Sequence, residues 1–289
     1  MIDKIKIKKA VDEYKAERPS DPNHYAHFYN DTQYEEEREK YCAKYETVFH
    51  EFVTACKEIN TLLFVLYIPS QESSRKVSRA FFERLVRKYT IPYLDVTEPL
   101  SIYEPETVYL LPEDTHLSRF SNQVLARLLK DFITPYINHR SGVQYTSRPA
   151  LLGDLKPNDN SIWTIKEELP YRVITNRQGL RRKEEVSFPR SSELTRVLCI
   201  GDSVTFCPYL SNHDCYPQLL EKSIDGVEVI NAGNAGYTIC DEFSYLMERG
   251  KYVEPDIIIL QVLDNDLYGF SPHKQKEFCR GGKFCMKKK

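Results

Sequence analysis

Short apolar runs alternate with amphipathic stretches in both halves of this chain, and that alternation restricts its fold more than any other feature. Leu62 to Ile68 and Ile257 to Val262 are continuous runs without a polar face, as expected of strands buried on both sides. Between Tyr34 and Ile59, the residues Tyr41, Tyr45, Val48, Phe49, Phe52 and Cys56 recur at helical spacing and mark one face of a helix. Val77, Phe81, Leu85 and Tyr89 line a second helix. Ile91 to Val96, ended by Pro99, reads as another strand. Leu117 to Ile133 closes this half as a helix with Val124, Leu125, Leu128, Leu129 and Phe132 inward. The alternation resumes later. Arg196–Ile200 is a strand, Cys215–Ile224 a helix, Val227–Asn231 a strand, Asp241–Val253 a helix and Ile257–Val262 a strand. Strands separated by helices run parallel and need cover on both faces. Neither half holds enough strands for a comfortable sheet, so the expectation is one five-stranded parallel sheet in an α/β fold, with two strands from the first half and three from the second.

The remaining segments differ in texture. Residues 1–33 are charged, carry Pro19 and Pro22, and read as a loose arm. Residues 34–133 and 195–270 are the two halves of the α/β unit. Residues 134–194 between them hold prolines, glycines, Trp163 and the polar stretch Lys156 to Ser161, the mark of a linker with a small irregular or β-rich subdomain. The tail, residues 271–289, ends in three lysines and is expected to be mobile, since nothing in it can bury a face.

Composition narrows the function. A formal net charge of −2 over 289 residues provides no general attraction for nucleic acid or an anionic membrane. No apolar run approaches the ~20 residues that span a bilayer. The charged start, Met1 to Lys9, is not a signal peptide, so the chain as it stands reads as cytoplasmic, with export of a longer form left open. Eight cysteines (42, 56, 199, 207, 215, 240, 279 and 285) show no paired spacing and read as reduced structural thiols. Cys279 and Cys285 lack histidines at ligand spacing, so neither a metal nor a cofactor is expected.

Chemistry concentrates at Gly201-Asp202-Ser203, where a strand breaks at glycine and offers a hydroxyl at its carboxyl end. Open α/β sheets place ligands in that crevice. A nucleophilic serine needs a base and an orienting acid, and His116 with Asp114 two residues before it is the pairing that stands out. The six other histidines, at 24, 27, 50, 139, 213 and 273, have no comparable company. Donors for an oxyanion could come from two turns that follow strands: Asn231 to Thr238, with Gly233 and Gly236, and Leu263 to Asp266, where Asn265 carries an amide.

Taken together, Gly201-Asp202-Ser203 with Thr205-Phe206, Asn231 through Gly236-Tyr237, Pro255 to Asn265-Asp266, and Asp114-x-His116 resemble the SGNH or GDSL-type hydrolases. Thr175-Asn176 to Gly179-Leu180-Arg181 is similar to the approach to the serine block in bacterial members. The resemblance implies a flavodoxin-like three-layer α/β/α sandwich. It also implies Ser203 as nucleophile, His116 as base, Asp114 as its partner, and an oxyanion hole formed by the Ser203 N–H, the Gly236 N–H and the Asn265 amide. The G-x-S-x-G elbow of α/β-hydrolases is absent, because Thr205 stands at its second glycine. Two departures stand out. Cys207 replaces a glycine frequent after the serine block, and the Asp–His block precedes the serine block. Circular permutation explains that order, which is similar to that of the SGNH-like domains of alginate O-acetyltransferases. A homodimer in which two copies exchange halves would explain it too. The function implied is a serine-dependent ester hydrolase acting on a carbohydrate or small lipid ester. The alternatives are an O-acyltransferase using the same residues, with a sugar hydroxyl in place of water, and a catalytically silent binding protein of this fold.

Overall fold

The computed structural model describes residues 32–70, 75–163 and 169–268. The arm up to residue 31 and the basic tail, with Cys279 and Cys285, lie outside the described residues, so the readings made of them stay expectations.

The elements follow the expected alternation. The first half runs α1 (Glu35–Glu58), β1 (Leu62–Tyr67), α2 (Arg75–Tyr89), β2 (Tyr93–Asp95), the short α3 (Thr97–Ser101) and α4 (Pro105–Val108), and α5 (Arg119–Ile133). A hairpin of β3 (Asn160–Trp163) and β4 (Tyr171–Ile174) comes next. The second half holds β5 (Thr195–Ile200), the one-turn α6 (Ser203–Phe206), α7 (Tyr216–Ser223), β6 (Val227–Asn231), α8 (Ile239–Glu248), β7 (Ile257–Val262) and α9 (Asn265–Tyr268).

Five strands form one sheet in the order β2-β1-β7-β5-β6, with every neighbouring pair parallel. The seam between the halves is continuous. β7 pairs with β1 from Leu62 opposite Ile257 to Tyr67 opposite Val262, and on its other side with β5 from Val197 to Ile200. Numbered from β5 through β6, β7, β1 and β2, the strands lie in the spatial order 2-1-3-4-5 of flavodoxin-like sheets. The switch point of such a sheet falls between β5 and β7 here, so a crevice opens at their carboxyl ends.

Alternate strand residues face opposite layers, and the sequence sorts accordingly. Leu63, Val65 and Tyr67 of β1, Leu198 and Ile200 of β5, and Ile258, Leu260 and Val262 of β7 pack with the buried faces of α1, α2 and α8. Phe64, Leu66, Val197, Cys199, Ile257 and Ile259 point the other way, against α5 and α7. The result is three layers with an apolar seam on each face of the sheet. Segment 134–194 contributes to this core, because Leu152, Leu180 and Val186 belong to the α1–α2–α8 layer.

Two helices depart from the periodicity at their ends, each for a local reason. α5 begins at Arg119 rather than Leu117 because Ser118 caps it, its hydroxyl oxygen accepting from the Ser121 N–H at 3.3 Å. Leu117 instead bridges Tyr109, which makes residues 110–116 a closed loop. α8 starts at Ile239 because Thr238 and Asp241 form a reciprocal capping box, and it gives way after Glu248 to a 3₁₀ turn, Gly250–Val253. Among the described residues no helix is long and apolar enough to cross a membrane.

Candidate active site

Ser203 stands at the start of α6, immediately beyond β5. The turn that presents it is tightly built. A Cβ on Gly201 would lie 2.4 Å from the Thr205 Oγ1 and 2.5 Å from the Gln261 Oε1, so only glycine fits. Asp202 is buried, and its side chain accepts from the Val204 N–H at 2.9 Å, capping the single helical turn. Thr205 fastens that turn to the sheet, its hydroxyl donating to the Gln261 Oε1 at 3.0 Å and lying 2.9 Å from the Tyr216 hydroxyl. Gly233, in the turn after β6, packs against α6 so closely that a Cβ would stand 2.3 Å from the Phe206 N.

The loop closed by the Tyr109–Leu117 bridge brings Asp114 and His116 to this turn. The Leu110 N–H donates to the His116 carbonyl at 2.9 Å, and the Asp114 N–H to the Leu110 carbonyl at 2.7 Å. The Asp114 Oδ1 accepts from the His116 backbone N–H at 3.0 Å and lies 2.5 Å from the ring Nδ1. The opposite ring nitrogen, Nε2, lies 2.9 Å from the Ser203 Oγ, across 87 residues of chain. With the carboxylate accepting from Nδ1–H, the Nε2 lone pair faces the serine hydroxyl, which donates to it. An acid, an imidazole and a hydroxyl in this relay can move a proton off the serine as it attacks an electrophile.

The two other residues read as oxyanion donors lie at the same edge of the sheet, because parallel strands put all their carboxyl ends on one side. Gly236, after β6, is exposed, with a φ of +85° and open space where a side chain would stand. Its turn is tied to the serine turn by the Asn234 N–H, which donates to the Gly201 carbonyl at 3.1 Å. Asn265 is half-buried and opens α9 after β7. Its neighbour Asp264 is fully buried and anchors the turn, accepting from the Tyr67 hydroxyl at 2.5 Å, from the Ser70 N–H at 3.3 Å, and from the Ser70 and Ser78 hydroxyls. Ser203, His116 and Asp114 are thus joined in one hydrogen-bonded chain, while Gly236 and Asn265 share their sheet edge.

Three residues with a part in this architecture escaped the reading of the sequence. Arg181 is fully buried. Its guanidinium donates to the carbonyls of Cys207 and Leu210 at 2.9 and 2.5 Å and to the Asn212 Oδ1 at 3.2 Å, and lies 4.5 Å from the Phe206 ring centroid. The Asn176 turn delivers it. The Asn176 Oδ1 accepts from the N–H groups of Gln178 and Leu180, and Gly179 adopts a φ of +77°. The Asn-to-Arg stretch was visible in the sequence; the target of its arginine was not. Tyr209 is the second. It stands in the loop that Arg181 grips, and its ring meets the His116 ring edge-on with centroids 6.0 Å apart.

Glu242 of α8 is the third. It is 1% exposed, and neither carboxylate oxygen has a hydrogen-bond partner. Burial first, and then the nearby charges of Asp266, Asp202 and Asp241, push its pKa well above the carboxylate range. The unfolded chain therefore releases this proton near pH 4.5 while the folded chain retains it, so stability is lost as pH rises above that value. Glu242→Gln removes the penalty. Urea unfolding should show the variant gaining on the wild type by up to about 1.4 kcal/mol per pH unit above the unfolded carboxyl's titration, with no gain in more acidic solution. Parallel stability curves would sink this account of Glu242. Among the described residues no group of three or more His, Cys, Asp or Glu side chains is arranged to hold a metal ion.

Comparison with known proteins bears on the fold. No protein-family model and no curated protein matches the chain. Among solved structures it is similar to the O-acetyltransferase domain of Pseudomonas putida AlgJ, with a TM-score of 0.51 and 13% sequence identity, over 84% of this chain and 92% of that one. At that identity the likeness is one of fold. The five-stranded parallel sheet with helices on both faces is a three-layer α/β/α sandwich, in keeping with that likeness.

Proposed function

We propose that this chain is a serine-dependent ester hydrolase of SGNH type, acting through an acyl-enzyme on Ser203. One observation carries the reading: the Asp114–His116–Ser203 chain, with 2.5 Å and 2.9 Å links, at the carboxyl edge of a parallel sheet. His116 Nε2 takes the hydroxyl proton as the Ser203 oxygen bonds to the ester carbonyl carbon. The carbonyl π pair moves onto oxygen, where the N–H groups of Ser203 and Gly236 and the Asn265 amide receive the charge. The tetrahedral adduct collapses, the alcohol leaves with the proton from the imidazolium, and the acyl group stays on Ser203. A water then repeats the cycle, deprotonated by His116, and releases the carboxylic acid.

The strand order 2-1-3-4-5, obtained only when counting begins at β5, supports reading the reversed order of the blocks as circular permutation. Contact between Ser203 and His116 within one chain supports a site complete in a single copy, without exchange of halves.

A second reading has its own support. The likeness to an O-acetyltransferase domain favours a hydroxyl group as the acceptor in the second half-reaction, with a sugar hydroxyl as our candidate and the same residues in the same roles. Incubation with p-nitrophenyl acetate, with and without a polysaccharide acceptor, separates the two by product: free acetate alone, or acetylated sugar. Absence of both products, with no labelling of Ser203 by a fluorophosphonate, would leave only a silent protein of this fold.

A further inference from the structure

We propose that Tyr237 and Asp154 are positioning residues for the Gly236 N–H, and that Arg249 completes the clasp by which the segment joining the two halves holds the oxyanion turn. The proposal rests on the reading of Ser203 as nucleophile and Gly236 as oxyanion donor, and it gives residues 134–194 a part in the chemistry. Three observations converge on it.

The first is what the turn after β6 leaves free. The Ala232 N–H donates to the Cys199 carbonyl at 2.9 Å, the Gly233 N–H to the Asn231 Oδ1 at 3.0 Å, and the Asn234 N–H to the Gly201 carbonyl at 3.1 Å. The Tyr237 N–H donates to the Asn234 carbonyl at 3.1 Å and the Thr238 N–H to the Asp241 Oδ2 at 2.9 Å. Among the described residues, only the Ala235 and Gly236 N–H groups of this turn have no acceptor. Both residues are exposed. With a φ of +85° and no atom near where its Cβ would stand, Gly236 is not held by packing of its own. A donor that stabilises an oxyanion must be fixed before the charge appears.

The second observation is that the next residue supplies the fixing. The Tyr237 hydroxyl donates to the Asp154 Oδ2, across 83 residues of chain, and its ring packs on the α1–α2–α8 layer. Burial, and then the bond to Asp154, raise the phenol's pKa, so it stays a proton donor. Tyr237 is thus tied at its backbone to Asn234 and at its far end to Asp154, with Gly236 directly before it.

The third is that Asp154 is itself anchored. The N–H groups of Leu152 and Gly153 donate to the Gln178 carbonyl at 2.9 Å, and the Leu155 N–H to the Gly179 carbonyl at 3.1 Å. A Cβ on Gly153 would stand 2.0 Å from the Gly179 oxygen, so the two stretches are in direct contact. From α8, the Tyr245 hydroxyl donates to the Leu152 carbonyl at 2.9 Å. Arg249, just beyond α8, donates to the Gly153 carbonyl at 2.6 Å and pairs with the Asp154 Oδ1. That pairing also neutralises the carboxylate, which would otherwise oppose negative charge developing beside Gly236. An ion pair this near the surface adds little to stability, so its value lies in what it holds still.

Tyr237→Phe keeps the ring and deletes the bond. With p-nitrophenyl acetate, kcat should fall about 10-fold with KM unchanged, less than the roughly 10²- to 10³-fold that follows outright loss of an oxyanion donor, because the Gly236 N–H is loosened rather than removed. Inhibition by a short-chain trifluoromethyl ketone, which forms an oxyanion when Ser203 adds to it, should weaken by the same factor. Loss of packing alone would not divide kcat from KM in this way. Asp154→Ala should have the same effect, and adding Tyr237→Phe to it should cost little more, because the phenol acts through that carboxylate. Asp154 is exposed, so its variant carries the test if Tyr237→Phe fails to fold. An unchanged kcat, a loss carried by KM, or equal losses from Tyr237→Phe in both backgrounds would overturn the proposal. Magnetic relaxation of the Gly236 backbone amide, measured without substrate, should show a rigid turn in the wild type and fast motion in either variant; equal rigidity in all three would also overturn it. That measurement needs no turnover. A failure of the esterase reading, seen as full activity in Ser203→Ala, is therefore distinguishable from a failure of the clasp.

Discussion

Ser203→Ala is expected to lower kcat with p-nitrophenyl acetate by a factor of about 10³ or more, and His116→Ala to do nearly the same, because members of a triad act as a unit and their losses do not add. The geometry explains why. His116 Nε2 is 2.9 Å from the serine oxygen, and the other ring nitrogen is held by Asp114, so the imidazole is fixed facing the serine. On the proposed mechanism, alanine at 203 removes the atom that accepts the acyl group. Alanine at 116 leaves that atom with no partner to take its proton. The double variant should be no slower than the worse single variant. Neither change should cost much stability: the Ser203 side chain sits at a half-buried helix start, the fold-bearing contacts of its turn belong to Asp202 and Thr205, and His116 is held mainly by its own loop. Melting curves alongside the rates would check this. Undiminished turnover in His116→Ala would end its assignment as the base, and coincident loss of fold and activity would make the rate uninformative about chemistry.

Much of this molecule was legible in its sequence because the relevant signals are local. β6 and β7 fall where their apolar runs place them, since the hydrophobic residues mark each strand even where Glu228 and Gln261 interrupt it. The amphipathic faces of α1, α2 and α5 are plain for the same reason: a 3.6-residue period needs only one helix to be seen. Asp114 and His116 stood out by their spacing together with the lack of comparable company at the other histidines. Their meeting with Ser203 did not, because a contact across 87 residues depends on the order of strands in the sheet, and periodicity says nothing about order. The starts of α5 and α8 were displaced by caps at Ser118 and Thr238, where a side chain's local hydrogen bond outweighs the apolar pattern. Arg181 and Glu242 are harder still. Lysine, arginine and glutamate are read as surface unless something contradicts it, and only coordinates reveal a guanidinium surrounded by carbonyl oxygens or a carboxyl sealed under α1 and the sheet. Tyr209 belongs with them, since its loop has no period and its contact with the His116 ring spans distant parts of the chain.

Arg181→Met should be among the most destabilising single changes in the described chain, by about 3–5 kcal/mol, because a buried charged donor is removed and its acceptors are left without partners. Methionine keeps the length and the apolar stem, so the effect isolates the guanidinium. What is lost is specific: the Cys207 and Leu210 carbonyls and the Asn212 Oδ1 each lose a donor in an interior that water does not reach freely, and Phe206 loses the cation 4.5 Å from its ring centroid. Arg181→Lys should rescue little. An ammonium is a point charge with three donors on a flexible stem, and it cannot match a planar fork that spans carbonyls three residues apart. The damage should also be local before it is global. Residues 207–212 link α6 to α7, and Asn212 in turn holds the hairpin through the Ile174 N–H and carbonyl at 3.2 and 2.7 Å. Amide exchange in that loop should therefore accelerate at temperatures where the sheet is still protected. Urea unfolding and exchange measured on the same variant would decide the matter. A loss under about 1 kcal/mol, the scale of an ordinary exposed residue, would mean the guanidinium is not the bolt that holds this loop.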